Sequence, residues 1–475
     1  MISSSSIYIE RSFWYNAGAA RNGRCTDGIR GAGIVNNDSG GSMGCGGSPS
    51  TENDSTDPES DGGSRRAAGS GFHTLDDFDV RGKRILLRVD INSPVDERTL
   101  RLEDGSKIRG SVPTIRELMD RGAKVVILAH QGRPGDYDFI SLNEHAKYLS
   151  QYTGRKVRYI DDLTGSRAKK AIDGLTEGEC ILMKNVRNLP DEQAKKAPEE
   201  HAQSELVRQL APKFDLFIND AFGSSHRAHA SLVGFSAVMP SAAGRLLEKE
   251  ISTLSQVFQC PKRPSTYVFG GTKFSDALQA IEKLAESDKV DRILVAGLAG
   301  YAYLWALGKQ VGSKTEERIK NDMTVEVVES ARRLHKKHGA KIVLPADAAI
   351  DDNGARREFG VDAIPRDAAV KDIGAATIAR FTEEIMASKT VFLSGPPGVF
   401  ELEEFSKGTK AVFDAMILSG AFSVIGGGHS SAAANRFGLL DKFSYVSTGG
   451  GALERFMLGK EMPVIEALKA SAKRF

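Results

Sequence analysis

From residue 72 onward the chain alternates two hydrophobic patterns. Short apolar runs, rich in β-branched residues and bounded by turn formers, recur at RILLRVD (84–90), KVVILAH (124–130), CILMKNV (180–186), FDLFIND (214–220), STYVFGG (265–271), RILVAGL (292–298), KIVLPAD (341–347), TVFLSGP (390–396), FSVIGGG (422–428) and KFSYVST (442–448). Each predicts a buried strand. Between most of them lie stretches with apolar residues at helical spacing. VPTIRELMDRG opens near Pro113 and ends on Gly122, SDALQAIEKLAES opens on a capping Ser-Asp, and TVEVVESARRLHKKHG closes on basic residues and Gly339. This is the start and stop chemistry of helices. Strand, helix, strand throughout predicts an α/β protein whose parallel sheets are covered on both faces.

That alternation is too long for one open sheet. The break is expected at RLLEKEISTLSQVFQCPKRP (245–264), a long helical pattern closed by Cys260-Pro-Lys-Arg-Pro264. The fold class read here is therefore α/β, two doubly wound, Rossmann-like parallel-sheet domains joined by a hinge helix. On pattern alone, a single ten-stranded sheet or a barrel stays open. The expected domains are a leader over 1–71, a first domain over 72–244, a linker helix over 245–263 and a second domain over 264–459. The leader differs in kind: SSSS and NNDSGGSMGCGGSPSTENDSTDPESDGGS are dominated by Gly, Ser, Asn and Asp, too little apolar matter to offset ordering entropy, so disorder is expected there.

Composition narrows the function. The chain has 475 residues, 40% of them hydrophobic, and 64 Lys plus Arg against 62 Asp plus Glu leave a formal net charge of +2. Nothing global points to nucleic acid or an anionic membrane surface, so any basic site must be local. Cys25, Cys45, Cys180 and Cys260 are too few and too scattered for a disulfide framework or a CxxC metal site, which makes a reducing, cytoplasmic compartment the expectation. No run of about 18 apolar residues suggests a membrane span.

The polar residues sit where the strands run out. Asp90 and Asn92, His130 and Arg133, Asn185 and Arg187, Asp220 with His226 and Arg227, Gly270 and Gly271 with Lys273, Gly395, Gly426 to Gly428, and Ser447 with Thr448 all fall at or just beyond a strand's carboxyl end. Open α/β sheets bind ligands in the crevice outside those ends. The first half supplies Arg88, Lys107, Arg109, His130, Arg133, Arg187, His226, Arg227 and His229, and converging guanidinium forks suit phosphate and carboxylate oxygens. Any one of them could instead pair with a surface carboxylate. The second half supplies glycines in GGTK, GLAG, SGPPGV, IGGGHSSAAA and STGGGALE, which permit close backbone approach and place helix N-termini at a phosphate. Neither GxxxxGK[ST] nor the dinucleotide GxGxxG is present. An acidic metabolite on one side and a nucleotide on the other point to phosphoryl transfer, with a hinge that closes.

In these motifs the sequence resembles phosphoglycerate kinase over essentially all of 72–475. RVDINSP (88–94), HQGRP (130–134), DAFGSSHRAHAS (220–231), GGTKFSD (270–276), GPPGVFE (395–401), GGGHSSAA (426–433) and VSTGGGALE (446–454) occur in the family's order. The resemblance implies a bilobal fold whose N-terminal lobe binds 3-phosphoglycerate or 1,3-bisphosphoglycerate and whose C-terminal lobe binds ADP or ATP with Mg2+. The chain's end, about 460–475, would pack back on the first lobe. It also implies that Asp90, Asn92, Lys107, His130, Arg133, Arg187 and Arg227 bind the phosphoglycerate, with His226 and His229 fixing the loop. Gly270, Gly271, Lys273, Gly297, Gly395, Glu401, Gly426, Gly427, Gly428, His429 and Ser430 would line the nucleotide site, Glu401 at the ribose hydroxyls. Lys107, Lys273 and Arg227 would stabilise the transferring group, with no metal ligand expected from the protein and a monomer as the expected assembly.

This chain departs from the family pattern in places. The family's catalytic arginine falls on Lys107, with Arg109 two residues on as the alternative fork; the second family lysine is Ala277; the acid after GGG is His429; the asparagine before GPxG is Ser394; Lys184 and Val186 replace residues of the common ENLRF. GGGH and the missing second lysine resemble the archaeal branch of the family. The reading is an enzyme, with a non-catalytic binder or scaffold of nucleotide and phospho-acid on the same fold as the alternative.

Overall fold

The computed structural model describes residues 71–475; the leader expected over 1–71 lies, except for Gly71, outside the described residues, as do Cys25 and Cys45. Two parallel sheets organise the chain. The first contains β1 (His73–Thr74), β2 (Arg84–Val89), β3 (Lys124–Leu128), β4 (Val157–Ile160), β5 (Cys180–Met183), β6 (Leu216–Asp220) and β7 (Ser241–Ala243), in the order β1-β7-β6-β2-β3-β5-β4. The second draws on β8 (Ser265–Phe269), β9 (Arg292–Val295), β10 (Ile342–Val343), β14 (Thr390–Ser394), β15 (Phe422–Gly426) and β16 (Tyr445–Val446), in the order β10-β9-β8-β14-β15-β16. Between β10 and β14 the chain inserts a small antiparallel sheet of β11 (Asp347–Asp352), β12 (Ala355–Gly360) and β13 (Val370–Ile373), ordered β12-β11-β13.

Both large sheets are buried on two faces, as continuous apolar strands require. In the first, Ile85, Leu87, Val125 and Ile127 join one apolar cluster while their neighbours Leu86, Val126 and Leu128 join another across the sheet. The second repeats the arrangement, with Tyr267, Phe269, Ile293 and Val295 on one side and Val268, Leu294, Val391 and Leu393 on the other. Alternation along each strand thus feeds two cores, one per face.

The helix Arg245–Phe258 connects the two sheets in sequence. Its buried residues Leu247, Glu250, Leu254 and Val257 fall on one helical stripe, and Glu250 is the charged member of it. The final helix, Pro463–Arg474, returns to the first half, where Val464 N donates to Ser225 O at 3.2 Å and Ser471 Oγ to Met239 O at 3.3 Å. Among the described residues no helix is long and apolar enough to cross a membrane.

Candidate active site

In a parallel sheet all carboxyl ends share one edge, so neighbouring strands deliver their following loops to one crevice. In the first sheet the four adjacent strands β6, β2, β3 and β5 do this. Asp90 and Asn92 follow β2, His130 and Arg133 follow β3, Asn185 and Arg187 follow β5, and the loop with His226, Arg227 and His229 follows β6.

Arg88 is buried at the base of this crevice. Its Nε donates to Ser231 Oγ at 2.9 Å and its Nη2 lies 3.0 Å from His130 Nδ1. Ser231 Oγ donates in turn to Glu192 Oε1 at 2.7 Å, and Ser231 N to Glu192 Oε2 at 2.9 Å. Glu192 is buried and 3.9 Å from His229 Nδ1, so it ties the loop behind Arg187 to the HRAH loop. Gln131 does similar work at the centre: it accepts from Ser93 N at 2.9 Å, returns a bond to Ser93 O at 3.0 Å, and its own carbonyl accepts from Asn185 Nδ2 at 2.6 Å. Neither Gln131 nor Glu192 was expected as a site residue.

The charges are unbalanced. Among the described residues none of Arg88, Arg133, Arg187 and Arg227 makes an ion pair with a carboxylate, whereas Arg245 at the start of the connecting helix reaches Asp76, Glu117 and Glu248. Arg187 is buried, donates to the Gly132 carbonyl and leaves its Nε without a partner. Burial, then the guanidinium groups of Arg227 and Arg88, push it down to about 10. Burial and the surrounding cations also hold His130 well below its usual value, and burial with Arg88 and Arg227 pushes His229 down to about 3, so both rings are neutral near pH 7. Asp90 stays ionised despite burial because Lys107, 3.7 Å away, and Arg88 hold its carboxyl below the ordinary range, helped by Ser224 Oγ at 2.8 Å. Arg133 is exposed.

The two candidates for the missing arginine are separated here. Lys107 faces Asp90, while Arg109 lies over the Tyr152 ring at 4.7 Å and bonds its hydroxyl at 3.4 Å. Lys184 is turned to Asp161 at 3.1 Å, and Val186 is buried.

The second sheet repeats the geometry with β9, β8, β14 and β15 adjacent. Gly270, Gly271, Gly297 and Gly395 pack backbone to backbone: Gly270 N donates to Ser394 O at 2.9 Å, Gly271 N to Pro396 O at 3.1 Å, and Gly395 N to Ser430 Oγ at 2.9 Å. A Cβ on Gly297, at φ +58°, would stand 2.7 Å from Gly271 N. These glycines therefore serve close approach, and three of their N–H groups bond within the protein. Open donors lie next door, where the helix Gly428–Arg436 starts with Gly428 and His429 exposed and nothing within 4 Å of a Cβ on Gly428. Lys273 is 80% exposed, with Asp276 3.9 Å away, Glu401 is exposed, and Ala277 packs against the core.

Glu250 joins this half to the connecting helix. It accepts from Ser447 Oγ at 2.9 Å, Thr448 N at 2.6 Å and Thr448 Oγ1 at 2.7 Å, just before Gly449–Gly451. On the other side, Asp90 Oδ2 lies against Gly223, where a Cβ would also come within 3.7 Å of Thr448 O. Glu250's one sequence signal is a carboxylate on an apolar helical stripe.

Comparison with known proteins agrees with this geometry. Residues 75–460 match the family model described as phosphoglycerate kinase. The chain is 41% identical over 403 residues to the phosphoglycerate kinase of Methanothermus fervidus, covering 85% of this chain and 98% of that one. It is 43% identical over 405 residues to that of Methanosarcina mazei, covering 85% and 96%. The crystal structure of phosphoglycerate kinase from Pyrococcus horikoshii OT3 superposes with a TM-score of 0.79 at 36% identity, over 85% of this chain and 100% of that one. The chain thus belongs to the phosphoglycerate kinase family, with archaeal members among its relatives.

Proposed function

We propose that the protein transfers a phosphoryl group reversibly between 1,3-bisphosphoglycerate and ADP, giving 3-phosphoglycerate and ATP. The observation that carries this reading is the set of arginines at adjacent strand ends that, among the described residues, make no ion pair with a carboxylate, in a chain whose second sheet ends in close-packed glycines. Burial first, and then the neighbouring Arg227 and Arg88, depress Arg187, and a multiply anionic ligand offsets that cationic contribution. In the direction of ATP consumption, a carboxylate oxygen of 3-phosphoglycerate attacks the γ-phosphorus as the bond to the β-phosphate oxygen breaks, and no proton moves. A carboxylate needs no base, so positioning and charge neutralisation supply the rate.

On this reading Arg133, Arg187 and Arg227 hold the substrate's anionic groups. Asp90, Asn92 and His130 orient its hydroxyl and carboxyl, and Lys107 and Lys273 neutralise charge on the group in transit. The first N–H groups of the helix Gly428–Arg436 meet nucleotide phosphates, and Glu401 meets the ribose. Magnesium is part of the nucleotide substrate, held by phosphates and water, as suits an ion that dehydrates reluctantly. The two sheets with their helices act as lobes over 72–244 and 264–459, the helix after Gly244 acts as hinge, and the protein works as a cytoplasmic monomer. Arg227→Ala should cost about 10²-fold in kcat/KM for 3-phosphoglycerate; unchanged kinetics would remove Arg227 from the site.

A further inference from the structure

The inserted antiparallel sheet carries a charge where none is needed for its own pairing. β12 is exposed along most of its length, yet the Arg356 side chain is 5% exposed and the Asp372 side chain facing it from β13 is fully buried. Arg356 Nη1 lies 2.9 Å from Asp372 Oδ2 and donates to Glu404 O at 3.0 Å, while Nη2 donates to Ile373 O at 2.8 Å and Nε to Glu358 Oε1 at 2.9 Å. Asp372 also accepts from Gly408 N at 2.8 Å and Ile373 N at 2.9 Å. A Cβ on Gly398 or Gly408 would collide with its Oδ1. Beside it, Val399 N donates to Lys371 O at 2.8 Å. The segment carrying Glu401 is thereby fastened on both sides, at Gly398 and Val399 before it and at Glu404 and Gly408 after it.

A buried ion pair is a poor device for stability alone, since apolar residues of similar volume commonly serve as well. What a guanidinium fork adds is direction: fixed donors aimed at particular carbonyls. We propose that Arg356 and Asp372 are positioning residues of the nucleotide half of the site, holding the segment 398–408 in the shape that receives the nucleotide. Neither touches the nucleotide; both act through the loop. This rests on the reading of Gly395–Glu401 as part of the nucleotide site.

The test measures the two substrates separately in Arg356→Lys, which keeps the charge and loses the fork. KM for ATP and Kd for ADP should rise about tenfold, with KM for 3-phosphoglycerate and kcat at saturating ATP within about twofold of wild type. Unchanged nucleotide constants, or equal losses for both substrates, would overturn the proposal. Glu401→Ala separates the two layers. If it weakens ADP binding and folded Arg356→Lys does not, the positioning role alone fails; if neither does, the loop's nucleotide role fails and the proposal with it. Should Arg356→Lys not fold, hydrogen exchange on the unmutated protein decides: ADP should slow exchange across 398–408, and unaltered rates there would overturn the proposal.

Discussion

On the proposed mechanism, turnover depends most directly on Lys107. A point charge can neutralise a phosphoryl oxygen but cannot form the bidentate contact of a guanidinium. Lys107→Met should therefore lower kcat by about 10²-fold with little change in nucleotide KM, and Lys107→Arg should match or exceed wild type. An active Lys107→Met enzyme would contradict the role. Spacing alone could not choose between Lys107 and Arg109, because the Tyr152 ring that captures Arg109 comes from a distant helix. His130, Arg133, Arg187 and Arg227 were legible because each falls at or just beyond the end of an apolar run that pairs into a parallel sheet. Glu192 and Gln131 were not: the DEQ that contains Glu192 reads as a solvated turn, its partner Ser231 arrives from the loop after β6, and Gln131 is bonded by Ser93 and Asn185 from the loops after β2 and β5.

At the scale of elements, the connecting helix is fastened at two points. Arg245 engages three carboxylates at its start, and Asp220 Oδ1 accepts from Leu247 N at 3.0 Å within its first turn. Burial pushes Asp220 up to about 7, opposed by Thr114 and the helix N–H groups. The unfolded carboxyl titrates near about 4, so the folded state holds the proton more tightly. The stability this gives is full below about pH 4 and lost as pH rises through about 7. Asp220→Asn cannot ionise, so its Tm relative to wild type should climb between about pH 5 and about pH 8; a constant difference would mean that Asp220 does not titrate in this window. Farther along, Glu250→Ala strands Ser447 and Thr448 and should cost about 2–4 kcal/mol on denaturant unfolding, while a loss within about 0.5 kcal/mol would make those bonds incidental. All ten apolar runs read from the sequence contain strand residues. Six described strands were not read, for several physical reasons: β1 and β7 are two and three residues long, β4 is a half-buried edge, the charged, exposed β12 has no apolar alternation, and β11 (DAAIDD) and β13 (VKDI) mix acidic residues into short apolar stretches.

At the scale of the whole molecule, the crevice gathers arginines whose mutual repulsion an anionic substrate would relieve on the proposed reading. 3-Phosphoglycerate at about 100 times its Kd should stabilise the protein by about 2.7 kcal/mol, visible as a higher Tm. Added salt should weaken its binding by screening the exposed Arg133 more than the buried arginines. A ligand that left Tm unmoved would count against the crevice as its site. The measurement that tests the central claim most directly is 3-phosphoglycerate-dependent ATP consumption in the presence of magnesium, coupled to reduction of the acyl phosphate formed. The account predicts turnover of about 1–100 per second or faster, abolished when 3-phosphoglycerate is omitted. Folded protein that binds ADP and shows no such turnover would contradict it, and would mean that Lys107, Ala277 and His429 have left the fold without its chemistry.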